Sequence, residues 1–172
     1  MEKADRRSLF VTAVFGFVLA SFGGWIYEEI CVYVFYGYVY NRGMLHLPIC
    51  PIYGFGAWIL AILLRRVKKG WVFFICAVLI ASVFELACSY LLELLFHRGF
   101  WTYAGWWLSI DDRISLVSSV IFGLLALIFV RLVLPFVRYL QRKCSGRLLF
   151  VAALLSVLII AADFLSVVLS DQ

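Results

Sequence analysis

Five carboxylic acids lie inside apolar stretches of the sequence, and they are the residues whose type and place point most directly to chemistry. They are half of the ten acidic residues: Glu28, Glu29, Glu85, Glu93 and Asp163. A carboxylate at the centre of a membrane-spanning helix costs about 2.5–3.5 kcal/mol on insertion scales. Such groups tend to face a bundle interior or a wet cavity and to have partners there. Their number predicts a polar site at membrane depth.

Three polar residues follow one another at steps of four within one apolar stretch. Glu85, Ser89 and Glu93 therefore share one face of a helix. We expect this polar stripe to belong to an outward-facing site of acids and arginines that binds a small polar or cationic solute. The predicted site consists of Glu28, Arg42, Tyr53, Glu85, Ser89, Glu93 and Arg113. The alternative is that Glu–Arg pairs only lock helices together.

The sequence predicts neither catalytic residues nor a metal or cofactor site. Its five cysteines form no CxxC pair and no His-spaced ligand set. Cys50 with His46 as its base is a conceivable nucleophile, but no third residue is visible to orient the histidine. We interpret Cys50 as a buried structural cysteine.

The composition assigns these residues to a membrane protein. Hydrophobic residues make up 66% of the 172 residues and charged residues 15%, against about 45–50% and about 25% in soluble domains. This excludes a soluble enzyme, a disordered chain and a nucleic-acid-binding domain; the expected surroundings are a lipid bilayer.

Five apolar stretches are candidates for spanning helices, and together they predict an all-α bundle that forms a single transmembrane domain over residues 1–172. They run from Leu9 to Tyr36, Ile49 to Leu64, Trp71 to Phe96, Ile114 to Leu134 and Leu148 to Leu169. An N-terminus in the cytoplasm and a C-terminus outside leave only Arg42, Arg98 and Arg113 of the 15 Lys and Arg residues on the outer side. A cleavable signal peptide ending near Ala20 is the alternative for the first stretch.

Two segments are expected to be irregular. The second helix is short and follows two prolines, Pro48 and Pro51, which suit a first turn but not a helix interior. The first helix is long enough to tilt, or to break at Gly23 and Gly24.

Residues 99–110 contain four Trp and Tyr residues and should lie at the outer interface as an aromatic anchor, with a lid over the acidic pocket as the alternative.

Two stretches resemble the signature of the putative ABC-transporter type IV (CmpB-like) proteins, a family of small multipass bacterial membrane proteins. The first is Asn41-Arg42-Gly43-x-Leu45-x-x-Pro48-x-x-Pro51-Ile52-Tyr53-Gly54-x-Gly56, and the second runs from Glu85 to Gly123 through Ser89, Tyr90, Glu93, Trp101, Tyr103, Arg113 and Ser119. Three positions depart from the family pattern: Leu47 and Asp112 stand where it has glycine, and Thr102 stands where it has aspartate.

The resemblance implies a permease of the bacterial cytoplasmic (inner) membrane. A GxxxxGK[ST] sequence is absent, so ATP use would require a separate cytoplasmic ATPase. Five helices make a thin pathway, so we also expect a homodimer or a second membrane subunit. The rival hypotheses are an intramembrane enzyme acting on a lipid or isoprenoid phosphate, which Arg42 and Arg113 would grip, and an assembly or regulatory subunit that transports nothing.

Overall fold

The computed structural model describes residues 6–37 and 44–170, and these are predominantly helical. The helices are α1 (Arg6–Tyr36), α2 (Pro51–Leu63), α3 (Gly70–Phe96), α4 (Leu116–Ile128), α5 (Leu134–Lys143) and α6 (Gly146–Ser170), with a π-helical turn at Phe129–Val133 between α4 and α5. Two strands of two residues each, β1 (Ser109–Ile110) and β2 (Ile114–Ser115), form an antiparallel hairpin. The predicted all-α class is confirmed.

Four helical segments are long and apolar enough to cross a membrane. They are Arg6–Val34, Gly70–Phe96, Leu116–Lys143 and Gly146–Ser170. Each exceeds the roughly 20 residues that a bilayer core requires. The short second helix also agrees with the sequence: α2 begins at Pro51 and has 13 residues, which is about 20 Å of helix.

The fourth predicted helix ends later than the sequence suggests. We expected it to stop at Leu134, before Pro135, but the helical run continues to Lys143. Pro135 has no N–H to donate and its ring crowds the carbonyl of Arg131. The π-helical turn at Phe129–Val133 surrounds that carbonyl and gives the ring room, so the helix passes the proline instead of ending there.

The first helix is continuous. α1 runs through Gly23 and Gly24 without interruption for 31 residues, about 46 Å. A break at the glycine pair is therefore ruled out, and the tilt of α1 in the bilayer stays a prediction.

The chain divides into two compact units. One, which we call the terminal unit, comprises Met1–Phe55 and Leu132–Gln172, and the other, the central unit, comprises Gly56–Arg131. The single transmembrane domain therefore stays a prediction.

In the terminal unit, two small apolar clusters join α6 to other segments. Val11 on α1 packs with Leu149 and Ala153 near the start of α6. At the other end of α6, Val167 packs with Leu45 and Ile49, which precede α2. Both ends of α6 are therefore held by side-chain packing.

The central unit has one core between α2, α3 and α4. Its buried residues are Leu60, Leu64, Phe73, Ala77, Ala81 and Ala126. Gly123 lets α4 approach α3 closely, because a Cβ at this position would lie 2.7 Å from Cγ2 of Val78. The small residues allow α3 and α4 to pack closely. This packing sets the distance between the polar side chains of α3 and those of α4.

Candidate functional site

Glu85 is a buried carboxylate in the third quarter of α3, and hydroxyl groups surround it. Its side chain is only 3% exposed. Oε1 accepts a 2.5 Å hydrogen bond from the Tyr103 hydroxyl, and Oε2 lies 3.3 Å from the Ser118 hydroxyl, which can donate to it. Both donors are neutral hydroxyl groups. They provide hydrogen bonds to the carboxyl group but do not neutralise a charge on it.

Ser118 is positioned by the first turn of α4. The Ser115 hydroxyl accepts a 3.0 Å hydrogen bond from the Ser118 N–H, and the Ser118 hydroxyl accepts one of 3.2 Å from the Ser115 N–H. This reciprocal pair is a capping box that satisfies two backbone donors at the helix start. The Ser118 hydroxyl has one proton, and the Ser115 carbonyl, 2.9 Å away, competes with Glu85 for it. The bond from Tyr103 is therefore the firmer of the two.

Tyr103 is positioned by the hairpin that follows it. Its backbone N–H donates to the Asp112 carbonyl over 2.7 Å. At the tip of the hairpin, Asp111 and Asp112 have φ angles of 51° and 55°, and the Arg113 N–H donates to the Ile110 carbonyl over 3.0 Å. Two central residues with positive φ are the pattern of a type I′ turn, whose twist suits a two-residue hairpin loop.

The hairpin also carries Arg113, which joins the outer end of the polar stripe. Nη1 of Arg113 donates to the Ser89 hydroxyl over 2.9 Å, and Nη2 forms an ion pair with Oε2 of Glu93. The guanidinium carbon lies 4.3 Å from the ring centre of Tyr90, a cation–π contact. Glu93 is 46% exposed and Arg113 24%. The pair is therefore partly open to its surroundings, unlike Glu85.

In the terminal unit, Glu28 has a partner like that of Glu85. Oε1 of Glu28 accepts a 2.6 Å hydrogen bond from the Tyr53 hydroxyl. Tyr53 lies in the first turn of α2, and its ring packs directly on Gly24, where a Cβ would lie 2.1 Å from the ring carbon Cγ. Gly24 is four residues before Glu28, so the helix face that presents the acid also admits the tyrosine ring.

Asp163 serves to hold a loop. Its Oδ1 lies 2.9 Å from Nδ1 of His46, and its Oδ2 accepts a 3.0 Å hydrogen bond from the Leu47 N–H. His46 therefore pairs with an acid on α6, 117 residues away along the chain. Leu47 stands where the family pattern has glycine. Its hydrogen bond to Asp163 comes from the backbone N–H and does not involve its side chain.

The structure brings the predicted site residues together in two groups. Glu85, Ser89, Glu93 and Arg113 are joined by α3, the hairpin and the start of α4 in the central unit. Glu28 and Tyr53 form a direct pair in the terminal unit. Arg42 lies outside the described residues. Within the described part of the chain, Glu29 has two buried carboxylate oxygens without a hydrogen-bond partner.

The sequence did not single out Tyr103 and Ser118 as site residues. Tyr103 was one of several aromatic residues in a segment expected at the interface, and a sequence does not reveal which of them turns inward. Ser118 had a weak local signal, because Ser115 is a preferred N-cap residue, and an N-cap side chain accepts from a backbone N–H two or three residues later. In the described residues, no three His, Cys, Asp or Glu side chains are grouped as metal ligands.

A family model described as "Putative ABC-transporter type IV" matches residues 15–168. The chain belongs to this family. The family and the four long apolar helices make the protein a multipass membrane protein of a transporter type. No curated protein and no solved structure is detectably similar to the chain. Both groups of site residues lie inside the matched range, so the site is built on the part of the chain that defines the family.

Proposed function

We propose that this protein is a permease-like integral protein of the bacterial cytoplasmic membrane that binds a small polar or cationic solute at an outward-facing site around Glu85. The chain crosses the membrane with five helices, from a cytoplasmic N-terminus to an external C-terminus. One observation carries the proposal: a carboxyl group that is 3% exposed in an apolar helix and is hydrogen-bonded by hydroxyl groups.

The chemistry of exchange favours a solute with N–H donors. Hydrogen bonds in which the donor or the acceptor is ionised are roughly twice as strong as those between neutral groups. An ammonium group, which is charged and has several N–H donors, can therefore replace the hydroxyl groups of Tyr103 and Ser118 at the same two oxygens of Glu85. The exchange leaves the acid satisfied both before and after binding, which avoids the penalty of an unpaired buried carboxylate.

The remaining predicted residues take supporting roles in this proposal. Arg113, held by Ser89 and Glu93, fixes the hairpin that positions Tyr103, so these residues form the entrance to Glu85. Glu28, Tyr53 and Arg42 belong to the terminal unit and are proposed as solute contacts of that unit. Arg113 is already engaged by Glu93, Ser89 and the Tyr90 ring, which weighs against its use as a phosphate grip by an intramembrane enzyme.

The proposed partners follow from the family and the chain length. The family is of the ABC-transporter type, and the sequence has no GxxxxGK[ST] motif, so a separate cytoplasmic ATPase would supply the energy. A homodimer or a second membrane subunit would complete a pathway that five helices alone make narrow.

A thermal-shift assay on the detergent-purified protein tests the site. The probes are choline, spermidine and lysine, with sucrose as an uncharged comparison. We expect at least one cationic probe to raise the melting temperature of the wild type. The Glu85→Gln variant keeps the shape and the Tyr103 hydrogen bond but loses the charge, so its affinity for that probe should fall about 10- to 100-fold.

Asp163→Asn is the matched control, because it removes an acid from another spanning helix, and the described contacts of Asp163 hold the loop at His46 and Leu47. It should bind the probe like the wild type. A Glu85→Gln variant that binds every effective probe with unchanged affinity would refute the proposed site. Loss of abundance without loss of binding would favour the assembly subunit instead.

A further inference from the structure

Basic residues lie at one end of the terminal unit, at the start of α1, along α5 and at the start of α6. We call this set the basic rim: Arg6, Arg7, Arg138, Arg142, Lys143 and Arg147. All six residues are exposed. The described residues of α1 before Glu28, of α5 and of α6 before Asp163 include no acidic side chain.

Contacts with α1 hold α5 in place and so pre-arrange the rim. The Gln141 side-chain amide donates to the Ser8 carbonyl over 2.8 Å and to the Thr12 hydroxyl over 3.1 Å. Val137, one turn before Gln141, is fully buried. Arg138 and Arg142 are four residues apart and so share a neighbouring face of α5, which these contacts leave exposed.

The start of α6 is fixed against the same end of α1. The ring of Phe150 lies 5.5 Å from that of Phe10, and the Arg7 guanidinium carbon lies 5.7 Å from the Phe150 ring centre. Arg147 is one turn before this contact. The ends of three helices thus present their charges as one surface, and little ordering is required when a ligand binds.

The neighbourhood of the rim identifies its ligand. In the described part of the chain, Arg138, Arg142, Lys143 and Arg147 have no ion pair, so their charges are available. Exposed apolar side chains lie beside them along the same helices: Leu132, Phe136 and Tyr139 near α5 and Leu148 on α6. A surface with both basic groups and a flanking apolar strip fits an amphipathic anion better than a water-soluble acidic partner.

We infer that the basic rim binds the headgroup of an anionic phospholipid, with the acyl chains along Phe136 and Tyr139. Basic residues just cytoplasmic of a spanning helix attract anionic lipids, each by about 1 kcal/mol. Arg138 and Arg142 provide the two central charges. This inference is independent of the proposed solute site, since none of its residues is shared with that site.

Native mass spectrometry of the delipidated full-length protein with phosphatidylglycerol and phosphatidylcholine tests the inference. We expect the wild type to retain phosphatidylglycerol selectively. The double variant Arg138→Gln/Arg142→Gln should bind phosphatidylglycerol about 30-fold more weakly, the equivalent of two lost charges. Arg138→Lys/Arg142→Lys should keep most of the affinity, because it keeps the charge.

The matched control is Arg65→Gln/Arg66→Gln, which removes two exposed adjacent charges from the central unit and should leave the affinity for phosphatidylglycerol within threefold of the wild-type value. Equal binding of the two lipids, or an equal loss in both double variants, would overturn the inference. So would competition by water-soluble glycerol phosphate as effective as that by the lipid, because the acyl chains would then contribute nothing.

Discussion

At the scale of single residues, the hydrogen bond from Tyr103 to Glu85 is the contact on which the candidate site depends. It joins a loop residue to an acid in a spanning helix, 18 positions earlier in the chain. Both side chains are buried. In such surroundings an unsatisfied polar group is expensive, so the tyrosine hydroxyl does more than fill space.

Tyr103→Phe is therefore expected to destabilise the protein by about 1–3 kcal/mol, the usual penalty of leaving a buried polar group without its partner. The measurement is the melting temperature of the detergent-purified variant. Tyr139→Phe is the matched control, since Tyr139 is exposed on α5 and should melt like the wild type. Equal melting temperatures for the two variants would contradict the structural role of the Tyr103 hydroxyl.

The close contact of Gly24 with Tyr53 gives a second prediction at this scale. In Gly24→Ala the new methyl group would overlap the tyrosine ring, with 2.1 Å between Cβ and Cγ. The ring must move away from Glu28, at a cost of about 1–3 kcal/mol for overpacking. Thermal melting measures the cost.

Gly23→Ala provides the comparison within the same helix. A Cβ at Gly23 meets nothing within 4 Å, and alanine is the better helix former by about 1 kcal/mol. We expect this neighbouring variant to be at least as stable as the wild type. Equal stability of the two alanine variants would contradict the close packing of Tyr53 on α1.

At the scale of elements, the hairpin of β1 and β2 connects the two ends of the candidate site. It positions Tyr103, which reaches Glu85, and it carries Arg113, which pairs with Glu93. Trp101 reinforces it by donating from Nε1 to the Arg113 carbonyl over 3.1 Å. Tyr103, from the segment expected to anchor the protein at the interface, therefore contacts the buried acid.

The turn of the hairpin explains one departure from the family pattern and gives a prediction. Asp112, which stands where the pattern has glycine, has a φ of 55°, a region that glycine adopts without strain. We expect Asp112→Gly to raise the stability by about 0.5–1 kcal/mol, as for other removals of left-handed strain. Asp112→Val should lower it, because a β-branched residue tolerates this φ poorly.

Melting curves of the two hairpin variants distinguish strain from side-chain contacts. Among the described residues, the Asp112 carboxylate accepts a single hydrogen bond, from the Ser109 hydroxyl over 3.4 Å at an exposed position, so the loss of this bond should matter little. A destabilised Asp112→Gly variant would show that the side chain outweighs the backbone.

At the scale of the whole molecule, the distribution of Lys and Arg predicts the orientation in the membrane. Cys144, exposed between α5 and α6, would lie in the cytoplasm. A membrane-impermeant maleimide should label Cys144 in inside-out vesicles and not in intact cells. In a Cys144→Ser background, Trp107→Cys should be labelled in intact cells, because Trp107 is exposed in the segment expected outside. The reverse pattern would invert the proposed orientation.

The sequence by itself determined that the protein lies in a membrane, which segments are helical and where most of these helices end. These properties depend on quantities that add along the chain: apolar length, the positions of Lys and Arg, and helix-breaking residues. The polar stripe was visible for the same reason, since residues four apart share a helix face wherever the helix lies.

Only the tertiary structure decided which groups meet. Tyr103 rather than a neighbouring aromatic residue reaches Glu85, His46 reaches Asp163, and Gln141 fastens α5 to α1. These partners are far apart in the chain, and their distances depend on helix packing and on the twist of a hairpin. The late end of the fourth helix has a related cause: whether a proline ends a helix depends on whether a π-helical turn makes room for its ring.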